Sequence, residues 1–173
     1  MKFQATKSLS AAELMSQLNG NSDFVCQKKG QEVRQNKIEA QLRAEEKPLL
    51  AALADAGVRV NSVWDLVNSK SNYGSALPVL ANHLRLAYHP KIREGIARAL
   101  TVKQARGIAG KVILNELKSP NDRNPEVHWA LANALAQVAD ISMIEEIKEM
   151  VADARYKDVH RILKLALRNL TVQ

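Results

Sequence analysis

A chain of 173 residues is long enough for one domain with a proper core, and 46% apolar content excludes an intrinsically disordered chain. Its single cysteine, Cys26, excludes an intrachain disulfide and a cysteine-built zinc site, and no long apolar run is present to span a membrane. The net charge of +7 is uneven: residues 1–60 carry net +2 and residues 85–118 carry net +6. Such a basic middle either attracts phosphate or an acidic protein, or solvates the outer faces of Ala-rich helices.

Aromatic residues make up only 4%, so a core must be built from Ala, Leu, Ile and Val, and seven Gly with five Pro leave few helix breakers. The stretch Met1 to Lys7 has charge but no apolar segment behind it, so no signal peptide is expected, and a cytoplasmic location follows as the expectation. In chain order, Ser10-Ala11-Ala12-Glu13 reads as a capping box that opens a short helix to about Leu18, stopped by Asn19-Gly20-Asn21. Asp23 is a candidate cap for the next helix. Residues Gln27 to Lys47 form a Gln-, Glu-, Lys- and Arg-rich stretch with Val33, Ile38 and Leu42 as its large apolar residues. This predicts a long, exposed helix with a thin apolar seam, suited to capping an array or to waiting for a partner. Pro48 is expected to start a new helix, which Gly57 ends. Asn61-Ser62 then caps Val63-Trp64-Asp65-Leu66-Val67, with Trp64 in the core or stapled to it. Lys70 to Ser75 is the clearest loop.

After residue 75 one pattern repeats. Ile92, Ile96, Ala99 and Leu100 fall on one helical stripe, and the stripe recurs at Val127, Leu131, Ala134, Leu135 and at Val159, Leu163, Ala166, Leu167. The anchors are 35 and 32 residues apart, the spacing of stacked helical hairpins. Leu77, Leu80, Leu84 and Ile144, Ile147, Val151 lie 15, 12 and 8 residues before their anchors, and Ile113 and Leu117 serve the middle pair. A longer turn, Ser119 to Asn124, interrupts that middle pair. The predicted fold is all-α: a solenoid of stacked antiparallel hairpins. Residues 1–70 form an N-terminal helical cap with a degenerate first hairpin, residues 75–173 form three regular hairpins, and the whole is one compact domain.

Ile92-Arg93 with Ile96-Ala97-Arg98-Ala99-Leu100 resembles the second helix of a HEAT repeat, of the short kind also found in phycobilisome-lyase-type repeats. Val127-His128 with Ala130 to Leu135 resembles it with His in place of Arg, and Val159-His160 with Leu163 to Leu167 is a weaker copy. More widely, Ser62-Val63-Trp64-Asp65-Leu66-Val67-Asn68 together with Arg93-Glu94-Gly95-Ile96-Ala97-Arg98-Ala99-Leu100 resembles a group of small bacterial HEAT-repeat proteins, a resemblance that carries no assigned activity. It implies a HEAT-like fold and, by analogy, a scaffold that binds another protein.

Three sets of side chains are candidates for function. Arg93, His128 and His160 occupy one position of successive second helices. They form either a hydrogen-bonded spine between repeats or a line of cationic, titratable groups on a binding surface. Glu94, Trp129 and Arg161 come next and are expected to point further from the core, Trp129 being an interface-type residue or a packing one. Lys157, Arg161, Lys164 and Arg168 form a basic stripe on the last helix, either solvated or apt for phosphate or an acidic partner helix. The histidines make no zinc pair, no nucleophile elbow or phosphate loop is present, and no metal or other cofactor is expected. The reading is a non-enzymatic scaffold binding another, acidic, protein through Arg93, Glu94, Arg98, His128, Trp129, Arg161 and Lys164, with no membrane partner. The alternative is a nucleic-acid binder with a basic groove, as in some HEAT-like proteins.

Overall fold

Good helix formers and few breakers give helices throughout. The computed structural model describes residues 10–11, 22–67, 69, 71–119 and 124–171, and among them α-helices and short 3-10 turns occur and no strand does. The helices are α1 (Ser22–Asp55), α2 (Trp64–Val67), α3 (Leu77–Leu84), α4 (Pro90–Ala99), α5 (Gly110–Lys118), α6 (Pro125–Val138), α7 (Ile144–Ala152) and α8 (His160–Thr171). The expected N-terminal helix to Leu18 and the lengthened turn at Pro120 to Arg123 lie outside the described residues.

The chain divides into two units, Met1–Gln41 and Leu42–Gln173. In the first, the described side chains are mostly exposed, Val33 and Ile38 among them, and Gln35 Nε2 donates to Glu39 Oε1 one turn on. The second holds every buried residue of the described chain.

At Pro48 the sequence reading needs correction, because α1 runs through that residue instead of restarting there. Proline removes one backbone N–H and leaves the carbonyl four residues back without its helical partner. Ala44 and Pro48 both lie on the exposed side, where water can take that place. The helix ends as expected: Gly57 takes φ +84, its N–H donates to the Ala54 carbonyl at 2.9 Å, and the Val58 N–H donates to the Leu53 carbonyl at 2.8 Å. This double bond pattern is the Schellman motif.

The last turns of α1 hold the start of the second unit in place. Glu46 is buried, and its Oε1 accepts from the Val63 N–H at 2.6 Å and from Ser62 Oγ at 3.0 Å. Glu45 accepts the His89 N–H just before α4. Asn61 and Ser62 lie at the start of α2, as expected, but the Asp65 carboxylate does part of the capping by accepting both of their N–H groups.

Three neighbouring pairs then pack, α3 on α4, α5 on α6 and α7 on α8, while α4 packs on α6, α6 on α8 and α3 on α5. The anchors Ile92, Val127 and Val159 are all buried, and Ala97, Ala99, Ala132, Ala134 and Ala166 are buried where these helices meet. Pro90 and Pro125 occupy the first turns of α4 and α6. Asn124 Oδ1 accepts from the Glu126 and Val127 N–H groups, and His89 Nδ1 accepts from the Lys91 N–H. At the far end of α6, Arg106 Nε donates to the Gln137 carbonyl at 3.2 Å and Asn169 Nδ2 to the Ala136 carbonyl at 3.0 Å. Carbonyls that no helical N–H can reach are thus met from both sides. Tyr73 does the same for α4, its hydroxyl donating to the Ala99 carbonyl at 2.9 Å.

Candidate functional site

The helical register of α4 puts Lys91, Glu94 and Arg98 on one face, three and four residues apart. Glu94 is only 5% exposed, although the sequence reading expected it to point away from the core. Burial is tolerated because the carboxylate is ion-paired on both sides: Arg98 Nε and Nη2 lie 2.9 Å from Oε1, and Lys91 Nζ lies 3.4 Å from Oε2. The same two cations sit over aromatic rings. Lys91 Nζ is 4.8 Å from the centre of a Trp64 ring, and the Arg98 guanidinium is 5.8 Å from Trp64 and 5.1 Å from Trp129. Each such contact is worth about 0.5–1 kcal/mol at an exposed site.

Trp64 reaches this cluster because α2 approaches α4 at Gly95. A Cβ on Gly95 would meet Val63 Cγ1 at 2.6 Å and Trp64 Nε1 at 3.1 Å. The absent side chain is what lets the indole lie down beside Lys91 and Arg98. Trp129, from α6, remains 45% exposed.

Of the predicted residues, Glu94, Arg98 and Trp129 therefore come together, joined by Trp64 and Lys91. The spacing of Lys91 from Glu94 was a legible signal for its membership; that Trp64 turns towards α4 was not. Arg93 reaches α5, its Nη2 2.8 Å from Glu116 Oε2, so it ties one helix pair to the next. His128 stacks on Tyr156, with ring centres 5.8 Å apart and planes at 15°. A cleft of ≈ 390 Å³ opens beside that stack, lined by Leu117, Pro125, His128, Trp129, Tyr156 and Val159. Trp129 thus borders both the cleft and the cation cluster. Arg161 and Lys164 lie exposed on α8.

Further groups take perturbed acidities. Burial pushes the His83 imidazole below its usual pKa, and its Nδ1 is 2.8 Å from the Tyr88 hydroxyl. Burial raises Tyr73 and, with help from the Glu45 charge, Tyr88. Lys118 is held above the ordinary lysine value by its hydrogen bond to Glu146. Among the described residues no group of three His, Cys, Asp or Glu side chains is placed to hold a metal ion, and no helix is long and apolar enough to cross a membrane. No protein-family model, curated protein or solved structure matches the chain.

Proposed function

We propose that this protein is a non-enzymatic, HEAT-like stack of helical hairpins that binds another protein along the surface formed by its second helices, α4, α6 and α8. The observation that carries this reading is the Trp64–Arg98–Trp129 cluster. It combines an exposed indole with a guanidinium already held by a buried carboxylate, Glu94. Tryptophan and arginine dominate binding energy at protein interfaces, and a residue fixed before contact loses little freedom on binding. The side-by-side packing of α4, α6 and α8 supports the stacked-hairpin reading.

The test is affinity capture from the native cell with wild-type protein and with Trp129→Ala. A partner retained by the wild type and lost from the variant, at unchanged helical content, supports the reading. Retention of every partner by the variant overturns it. A second reading, nucleic-acid binding, draws on the exposed cations Lys157, Arg161, Lys164 and Arg168. Binding through several phosphates would weaken steeply as salt is raised, and absence of binding to duplex or single strands at low salt removes that reading.

A further inference from the structure

Several cations of the second unit are matched with carboxylates. Lys91 and Arg98 pair with Glu94, Arg93 with Glu116, Lys118 with Glu146, Lys148 with Glu145 and Arg155 with Asp153. The last helix carries no such pair among the described residues. Arg161, Lys164 and Arg168 of α8, and Lys157 in the turn before it, are all exposed, and none is within ion-pair distance of a carboxylate among the described residues. The sequence of α8 contains no acidic residue, and the nearest in the chain is the exposed Asp158.

The same face carries an apolar residue. Leu165 is 44% exposed, and it sits four residues after Arg161, one after Lys164 and three before Arg168. Helical geometry puts Arg161 and Arg168 on either side of it, about 10 Å apart along the axis. This face thus offers one apolar contact beside a row of exposed cations that no carboxylate of the helix neutralises.

From this we infer that the outer face of α8 is a docking surface for an acidic segment of another protein, one that presents an apolar side chain flanked by carboxylates a helical turn apart. The inference rests on the protein-binding reading and adds the chemistry of the partner. Charge complementarity selects the acidic residues. Leu165 favours a peptide over a nucleic acid, because an aliphatic side chain gives a base no aromatic face on which to stack. An amphipathic acidic helix laid along α8 would set carboxylates against Arg161, Lys164 and Arg168 while closing its apolar residue over Leu165.

The experiment uses the full-length protein and three fluorescent probes: a Glu-rich helical peptide with one central leucine, the same peptide with serine in its place, and an oligothymidylate of equal charge. Anisotropy titrations at physiological salt are expected to rank the leucine peptide first, about tenfold tighter than the serine peptide. Leu165→Ser should erase that tenfold difference, and the pair Arg161→Glu and Lys164→Glu should abolish binding of both peptides. These positions are exposed, so the variants keep the wild-type circular dichroism spectrum and melting midpoint. Equal affinity for the two peptides, or leucine-peptide binding unchanged by the charge reversals, overturns the inference. It leaves the wider reading intact if Trp129→Ala still loses its captured partner. If the oligothymidylate binds tightest, with steep salt dependence, both are overturned.

Discussion

Gly95 shows how one missing side chain sets the site. Gly95→Ala gains about 1 kcal/mol of intrinsic helix preference. It also drives a methyl against the fully buried Val63, whose Cγ1 stands 2.6 Å from the position of the new atom. Overpacking of this kind costs about 1–3 kcal/mol. The variant is expected to have a lower urea midpoint and a shifted Trp emission as the Trp64 indole is pushed off Lys91 and Arg98. His83 gives a second prediction at this scale. Burial lowers its pKa in the folded state, so the unfolded chain takes up the proton first as pH falls. Its contribution is complete above the ordinary histidine pKa of about 6.5 and is lost as pH falls through the lower folded value. Urea midpoints should therefore decline on acidification below that point, and His83→Gln should flatten the decline.

At the scale of elements, α1 carries a proline that its neighbours tolerate and that costs stability. Pro48→Ala restores an N–H for the Ala44 carbonyl and removes the ring's clash, worth about 3 kcal/mol in a helix interior, less about 1 kcal/mol for the freer unfolded chain. A gain of about 2 kcal/mol in the unfolding free energy is the expected result of chemical denaturation. This helix also marks the limit of what the sequence revealed. Proline at a first turn and proline at an exposed interior position look alike in a sequence, and only the uninterrupted helix separates them. The apolar anchors were legible because burial follows a 3.6-residue period, and Ile92, Val127 and Val159 are all buried. The burial of Glu94 was not, because a carboxylate between Lys91 and Arg98 reads as ordinary surface charge until the Trp64 indole is found beside those two cations. The stacking of His128 on Tyr156 joins residues far apart in the chain and left no local signature. Trp129 and Arg98 were legible as candidates, and what the sequence withheld was their contact.

Across the whole molecule, the buried side chains of the described residues all belong to the unit Leu42–Gln173. A fragment of residues 42–173 is thus expected to retain a single cooperative melting transition, with a midpoint within a few degrees of the full chain. Two separate transitions in the fragment, or its failure to fold, would contradict this. The way α6 ends has a consequence for how that unit opens. Its closing carbonyls are held by Arg106, which precedes the helix, and by Asn169, which lies near the end of the last one. Breathing at the tail of the chain therefore reaches a helix thirty-odd residues earlier, because it strips a partner from Ala136. In hydrogen–deuterium exchange, Asn169→Ala should speed amide labelling in the final turn of α6 as well as in α8, with the amides of α4 keeping their wild-type rates.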